Sequence, residues 1–183
     1  MDAVTLARCW LAPLSRAAIW AKPISDAMME FSITTPARQA AFLAQTGHES
    51  GGGRYTRELW GPTPAQVRYE GRKDIGNTEP GDGSKYRGRG FLQITGRANY
   101  ADAGKALHLD LIGHPEILEE PDMCALSAAW WWHAHGLNER ADDVSRDSFV
   151  RITQIINGGT NGLPDRLARW EAAKQALCVR ELA

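Results

Sequence analysis

The sequence predicts a mainly α-helical protein in which one long glycine-rich loop interrupts the helices. Apolar residues recur at three- and four-residue steps in most segments, and glycine, proline and charged residues concentrate in residues 51–90. Only residues 90–95 have the composition of a strand, so at most a very short β element is expected. The chain has 183 residues with no repeat or linker, which predicts a single domain over residues 1–183.

Two predicted helices precede the loop. Apolar residues repeat through residues 13–31, where Pro23 either kinks the helix or begins a second one. Thr35 followed by Pro36 is the pairing expected of an N-cap and a first helical position. This second helix is predicted to end at Glu49, because three consecutive glycines follow it.

The loop and the segments after it are less regular. A short helix is predicted inside the loop at residues 63–69, and a loop of this length in a compact domain is usually functional. After the candidate strand, the apolar spacing predicts four more helices. They cover residues 97–107, 121–135, 145–156 and 164–178.

The composition argues against several classes of partner. Lys and Arg total 21 against 22 Asp and Glu, so the formal charge is -1 and nucleic acid is not expected as a partner. No segment approaches the roughly 18 apolar residues of a membrane span, so membrane insertion is not expected. The N-terminal segment lacks the basic start and unbroken apolar core of a signal peptide, which predicts synthesis in the cytoplasm without one.

The cysteines predict a reducing compartment. Cys9, Cys124 and Cys178 are widely spaced and odd in number, so they form neither a metal knuckle nor a closed disulfide framework. All three are expected to be buried free thiols, as is typical of proteins that fold in the cytoplasm.

Glu49 and Glu58 are the candidate catalytic residues. Glu49 ends its helix, where the helix dipole and burial both disfavour a charged carboxylate, as a general acid requires. Glu58 lies nine residues later in the open loop, where it can stay ionised and serve as a base. The glycines between them let the chain turn, so the two carboxyl groups can face each other across a cleft. The alternative is that Glu49 only ends a surface helix and that Glu58 pairs with Arg54 or Arg57.

Neither a metal nor a cofactor is predicted. His48 and Glu49 match the start of a zinc-protease motif, but no histidine follows on the next turn. His133 and His135 are two residues apart on a predicted helix and therefore point to different faces.

The segment YRGRGFLQITGRANY, residues 86–100, is a candidate binding surface. Gln93, Thr95 and Asn99 have spacings that can line one wall of a cleft, and such polar groups suit sugar hydroxyl and N-acetyl groups. The alternative is a solvated turn with ordinary arginines. Asn157 ends a helix before two glycines, which a C-cap explains, although its side chain can also reach a cleft.

The aromatic residues fall into two groups. Trp130, Trp131 and Trp132 are adjacent on a predicted helix and about 100° apart, so at least two of them are expected in the core. The aromatic residues of the loop are better placed to stack on sugar rings. They are Tyr55, Trp60, Tyr69 and Tyr86.

Taken together, these motifs resemble glycoside hydrolase family 19, the chitinase-type, lysozyme-like enzymes that include many phage endolysins. The resemblance covers about residues 36–178. It is carried by FLAQTGHES, RELW, KYRGRGFLQITGRANY, LIGHPEILEEPDMCALSAAWWW, and INGG followed by DRLARWEAAKQAL. The family implies a lysozyme-like helical fold around the cleft.

The resemblance also implies roles for individual residues. Glu49 takes the position of the general acid, Glu58 that of the general base, and Thr95 that of the hydroxyl residue that holds the attacking water. The implied reaction is inverting hydrolysis of a β-1,4 bond in an N-acetylated aminosugar polymer, without metal or cofactor. Substrate-cleft roles are implied for His48, Tyr86, Gln93, Asn99, Asn157 and Arg166.

The expected function is that of a phage or prophage endolysin acting on peptidoglycan glycan strands. The chain lacks the signal peptide and paired cysteines of secreted plant-type members, so we expect a monomer made in the bacterial cytoplasm and released to the cell wall through holin-made lesions. A chitinase remains an alternative with the same catalytic residues. A lytic transglycosylase, which needs one catalytic glutamate, and a non-catalytic glycan-binding module are further alternatives.

Overall fold

The computed structural model describes residues 1–179 and is mainly helical. Ten α-helices follow one another in this part of the chain, and two short 3-10 helices lie at Lys73–Ile75 and Pro115–Glu119. The α-helices are α1 (Ala3–Trp10), α2 (Leu14–Glu30), α3 (Pro36–Glu49), α4 (Pro64–Val67), α5 (Asp82–Lys85), α6 (Arg97–Leu107), α7 (Pro121–Ala134), α8 (Leu137–Ala141), α9 (Arg146–Asn157) and α10 (Leu163–Ala176).

The helix boundaries follow local sequence signals. The Thr35 hydroxyl accepts from the backbone N–H of Arg38 over 3.2 Å, and Pro36 occupies the first turn of α3. Pro23 lies inside α2, so residues 14–30 form one helix rather than two. The prediction missed α1, which begins where Asp2 caps the backbone N–H of Thr5, and it missed the five-residue α8.

The main core lies between α1, α2, α3, α7 and α10. Phe42 of α3 meets Trp132 of α7 edge to face, with ring centroids 5.4 Å apart. Trp10 of α1 makes a similar contact with Phe91, which closes this core on the side of the loop. The C-terminal end of α3 lies against α10, and this packing sets the position of Glu49.

A smaller apolar cluster stabilises the far end of the long loop. Its fully buried members include Tyr86 and Tyr100, whose ring centroids are 5.3 Å apart. Polar contacts complete the support, because the buried Asp82 carboxylate accepts from Arg97 Nε over 2.8 Å and from the backbone N–H groups of Thr78 and Glu79. The loop is therefore ordered mainly by hydrogen bonds around a small apolar centre.

The predicted strand at residues 90–95 is a turn. Gly90 and Gln93 both have positive φ angles, 77° and 51°, which reverse the chain and prevent an extended run. Within residues 1–179 the β structure is limited to two isolated antiparallel bridges, Arg57 with Arg89 and Arg89 with Ile94. The expectation of at most a very short β element is thus confirmed, although residues 90–95 do not form the predicted strand.

Two further observations concern membrane-spanning helices and cysteines in the described residues. In residues 1–179 no helix is both long enough and apolar enough to cross a membrane. Cys9 and Cys124 are buried free thiols, and Cys178 is an exposed free thiol. The predicted domain over residues 1–183 includes residues 180–183, which lie outside the described part.

Candidate active site

Glu49 is the last residue of α3 and forms an ion pair with Arg166 of α10. Arg166 is only 1% exposed. It also donates to the side-chain oxygen of the buried Gln45 and to the backbone oxygen of Asn161. A buried guanidinium with three fixed acceptors has one conformation, so it fixes the direction of the Glu49 carboxylate. Glu49 is therefore more than the end of a surface helix.

His48 forms a second contact between the same helices. Its Nδ1 lies 2.7 Å from Asp165 Oδ2, and Arg169 donates to the same oxygen over 2.7 Å. Burial would raise the pKa of Asp165, but the hydrogen bonds from Arg169 and His48 outweigh burial and lower it. Gly162 has a φ of +71°, and a Cβ there would lie 2.3 Å from His48 Cε1, so this position requires glycine.

Glu58 lies in the loop and is held by hydrogen bonds. Its backbone N–H donates to Gly88 O over 2.8 Å. Its carboxylate accepts from Gln66 Nε2 over 3.0 Å and from the backbone N–H of Gly88 over 3.3 Å. Gln66 is buried and also donates to Leu59 O over 2.7 Å. It thereby links Glu58 and Leu59 to the short helix α4. Glu58 forms no ion pair with Arg54 or Arg57 among the described residues, contrary to the alternative interpretation.

The two glutamates line one open cavity of about 350 Å³. The remaining lining residues are Tyr55, Arg57, Leu59 and Gln93. Glu49 comes from the helical side and Glu58 from the loop side, as predicted. A cavity with a carboxyl group on each side has the arrangement that acid and base catalysis of glycosidic cleavage needs.

A second cavity of about 530 Å³, called the groove below, lies beside the first. Gln93 lines both cavities, so they are neighbours. Thr95 and Asn99 form part of the polar wall of the groove, as the sequence predicted. The remaining lining residues are Tyr69, Arg72, Ile75, Leu92, Ile94, Asp102, Trp130, Trp131, His135 and Ile156. This mixture of aromatic and polar side chains suits sugar rings with hydroxyl and amide substituents.

Thr95 lies close to Gly88, whose backbone N–H donates to the Glu58 carboxylate. Its hydroxyl donates to Gln93 O over 2.9 Å. A Cβ added to Gly88 would lie 2.5 Å from Gln93 Oε1 and 3.2 Å from Thr95 Oγ1, so both polar groups pack against Gly88. Because the Gly88 N–H donates to the Glu58 carboxylate, the Thr95 hydroxyl and Glu58 lie near the same short backbone segment.

Three of the residues predicted to contact substrate line neither cavity. Tyr86 is fully buried and its hydroxyl donates to Ile112 O over 3.1 Å, so its ring is not exposed in either cavity as the prediction expected. Arg166 is also buried and binds Glu49, so it positions the carboxylate and does not face the groove. His48 is held by Asp165 and lies outside the lining of both cavities.

Asn99, Asn157 and Trp60 have clear local partners. Asn99 is exposed at the groove, and its Nδ2 donates to Thr95 O over 2.7 Å. The Asn157 side-chain oxygen accepts from the backbone N–H of Asn161 over 3.3 Å, which fits the C-cap interpretation. Trp60 is half-buried, with its ring centroid 6.2 Å from that of Tyr69.

The sequence analysis missed the aromatic wall of the groove. Trp132 is fully buried, as expected of a core residue, but Trp130 and Trp131 are only half-buried and line the groove. His135 is one turn beyond Trp131, and the two rings stack with centroids 3.7 Å apart. The four-residue spacing of Trp131 and His135 is the signal that could have identified this wall.

Electrostatic effects also connect the groove with Glu58. Burial raises the pKa of the Tyr69 hydroxyl, and the nearby Glu58 carboxylate raises it further. Tyr69 is therefore a neutral hydrogen-bond donor at neutral pH. Within residues 1–179, no group of three or more His, Cys, Asp or Glu side chains is arranged to hold a metal ion.

Comparisons with known proteins agree on the family. A family model described as chitinase class I, of glycoside hydrolase family 19, matches residues 30–144. A family 19 domain-containing protein of Haemophilus influenzae is 34% identical over 163 residues, which cover 74% of this chain and 78% of that protein. An endochitinase of Arabidopsis thaliana is 36% identical over 121 residues, which cover 66% of this chain and 39% of that protein. The chain thus spans less than half of the length of this plant relative.

Solved structures show the same fold. Chitinase C of Streptomyces griseus aligns with a TM-score of 0.71 and 22% identity, over 96% of this chain and 75% of that one. A further bacterial family 19 chitinase aligns with a TM-score of 0.72 and 23% identity, over 97% and 94% of the two chains. These matches confirm the mainly helical, lysozyme-like fold. The chain therefore belongs to glycoside hydrolase family 19, the chitinase-type glycosidases, as its motifs had indicated.

Proposed function

We propose that the protein hydrolyses β-1,4 bonds in the glycan strands of bacterial peptidoglycan, and that it acts as an endolysin. The observation that carries the proposal is the shared cavity, in which Glu49 on a rigid helix and Glu58 on the loop approach the same space. The neighbouring groove is lined by aromatic and polar side chains, as a site for further sugars would be.

In the proposed mechanism, Glu49 donates a proton to the leaving glycosidic oxygen. The carboxylate that results is stabilised by the buried Arg166, which is already in contact with it. Arg166 therefore has a positioning role: it donates to Glu49 Oε1 and leaves Oε2 to carry the proton that is transferred. The contact of Arg166 with Gln45 keeps the guanidinium in place during this step.

Glu58 activates the water that attacks the sugar from the opposite face. Single displacement with inversion requires two carboxyl groups about 6.5–9.5 Å apart, so that a water molecule fits beside the base. Gln66 Nε2 and the backbone N–H of Gly88 donate to the Glu58 carboxylate and hold it in place. The Thr95 hydroxyl, which packs against Gly88, is the group proposed to orient the water.

Peptidoglycan is proposed as the substrate on two grounds. The motifs resemble the endolysin members of the family. The unpaired Cys9 and Cys124 also fit a protein that folds in a reducing compartment, as an enzyme made inside a bacterial host would. Release through holin-made lesions and a monomeric state are part of this proposal.

Chitin is the second candidate substrate. The matching family model is described as chitinase class I, and the Arabidopsis relative is an endochitinase. The catalytic roles of Glu49, Glu58 and Thr95 would be the same on either polymer.

Mass spectrometry of the released fragments tests the proposal. The purified protein is incubated with peptidoglycan and, in parallel, with chitin, and the soluble products are reduced with borohydride before analysis. Reducible muropeptide ends support a peptidoglycan hydrolase and identify the bond by the sugar that is reduced. Products from chitin alone would assign a chitinase, anhydro ends a lytic transglycosylase, and binding without product a non-catalytic module.

The stereochemistry is tested on the same digest. Inversion at a β bond releases the α-anomer first, and proton NMR of early time points distinguishes it from the β-anomer. Initial release of the β-anomer would contradict the single-displacement mechanism while leaving the substrate assignment intact.

A further inference from the structure

Arg57 lies at the edge of the catalytic cavity, one residue before Glu58. It lines the cavity together with both candidate catalytic glutamates, and its side chain is 56% exposed. Its Nη1 donates to Glu119 Oε2 over 3.1 Å. A guanidinium has five N–H donors, so this one bond leaves most of them available on the cavity side.

The charges around Glu119 do not balance. The same carboxylate also accepts from Nε of Arg89 over 2.7 Å, and the Arg89 side chain is only 5% exposed. Two guanidinium groups thus share one carboxylate in the described part of the chain. Because the Arg89 charge is buried and needs its partner, Glu119 does not fully neutralise the exposed Arg57.

We propose that Arg57 binds a carboxylate carried by the glycan and so selects an anionic aminosugar polymer over a neutral one. The inference rests on the proposed function, because alternate sugars of peptidoglycan carry an acidic lactyl ether or an acidic stem peptide, whereas chitin carries no carboxylate. A guanidinium forms paired hydrogen bonds with a carboxylate, and Glu119, which does not line the cavity, holds Arg57 through one nitrogen.

The alternative to this proposal is that Arg57 acts on Glu58 and not on the substrate. As a cation beside the cavity, it could act only on Glu58 and assist catalysis on any substrate. The two roles predict different kinetics, since a substrate contact changes KM on anionic substrates alone, whereas an effect on the base changes kcat on every substrate.

The test compares four proteins on matched substrates. The proteins are the wild type, Arg57→Gln, Arg57→Lys and Arg68→Gln, the last being an exposed arginine of the same loop that lines neither cavity. The substrates are intact peptidoglycan, glycan strands freed of stem peptides, and both of these after carbodiimide amidation of their carboxylates. The two unmodified substrates distinguish the stem peptide from the lactyl group as the source of the carboxylate.

Arg57→Gln is expected to raise KM roughly tenfold or more on a substrate that carries the bound carboxylate, with kcat within about twofold. Arg57→Lys should recover part of this loss and Arg68→Gln should match the wild type. Amidation should raise the wild-type KM by the same factor and remove the difference between wild type and Arg57→Gln. If Arg57→Gln does not fold, the amidation arm on the wild type carries the test.

Three results would overturn the inference. They are an equal loss of kcat on native and amidated substrates, the same KM for Arg57→Gln and Arg68→Gln, and a wild-type KM that amidation leaves unchanged. In each case the wild type would still cleave peptidoglycan, so the proposed function would survive. A wild type that cleaves only chitin would instead contradict the proposed function itself.

Discussion

The two sides of the candidate catalytic cavity are stabilised by different kinds of interaction. Glu49 ends a helix in which every residue from 40 to 47 is buried, so apolar packing holds this helix in place and Arg166 orients the carboxylate at its end. Glu58 lies in a loop whose geometry depends on hydrogen bonds, chiefly those of Gln66 and Gly88. Apolar packing is insensitive to pH, whereas the contacts of ionised groups are not. The helix that carries Glu49 and the loop that carries Glu58 should therefore respond to different perturbations.

Glu49→Gln should have the largest effect, because it removes the proposed acid and the partner of a buried charge. We expect kcat to fall by about 10²–10⁴. The free energy of unfolding should fall by about 1–3 kcal/mol, because Arg166 loses its counter-charge. Initial rates on peptidoglycan and urea unfolding measure the two effects. Wild-type activity in this variant would refute the assignment of the acid.

Glu58→Gln is the matched change on the loop side. It should reduce kcat by a similar factor of about 10²–10⁴. Its free energy of unfolding should stay within about 0.5 kcal/mol of the wild type, because Glu58 has neutral hydrogen-bond partners. A variant that keeps most of its activity would favour a lytic transglycosylase. A stability loss as large as that of Glu49→Gln would show that the two sides do not differ as argued.

Lowering the pH should disorder the loop before it unfolds the helical core. Hydrogen bonding to Arg97 lowers the pKa of the buried Asp82 below its usual 3.8. A group whose pKa is lower in the folded state contributes stability above its unfolded pKa, and this contribution is lost as the pH falls through the folded value. Hydrogen exchange measured by mass spectrometry should therefore show faster exchange in residues 54–90 between about pH 5 and pH 2, with α3 and α7 still protected.

Asp82→Asn provides the control for this prediction. The variant should show the faster loop exchange already at pH 7, with a much smaller dependence on pH. Glu116→Gln is a matched acidic substitution, because Glu116 and its partner His114 are both exposed, whereas Asp82 is buried. Simultaneous loss of protection in the loop and in α3 would contradict the separation of the two regions.

The sequence predicted the helical side well because its signals are local. The cap formed by Thr35 and Pro36 marks where α3 begins, and the run of apolar residues with three glycines marks where it ends. The long helices after residue 120 follow the same periodicity. Short helices such as α8 have too few residues to produce a periodic pattern, and they are stabilised by contacts with the rest of the fold.

The loop side was harder to predict because its contacts are distant in the chain. Tyr86 stands between glycine and arginine residues and was expected to be exposed, but packing with Tyr100 buries it. The contact of Glu49 with Arg166 joins residues 117 positions apart, and no local pattern specifies it. The family resemblance predicted a substrate-cleft role for Arg166, and the structure places its side chain against Glu49.

Substitutions at Thr95 should give the smallest effects and test how the two sides meet. Its hydroxyl packs against Gly88, whose backbone N–H also donates to Glu58. It is therefore the residue of the groove that is proposed to orient the attacking water. Thr95→Val keeps the shape but removes the hydroxyl, and the loss of one hydrogen bond of about 1–1.5 kcal/mol corresponds to roughly a tenfold fall in kcat. Thr95→Ser keeps the hydroxyl and should stay within about threefold of the wild type. If both variants lose activity equally, the methyl group and its packing matter rather than the hydroxyl, and the water must be oriented by Glu58 and the loop alone.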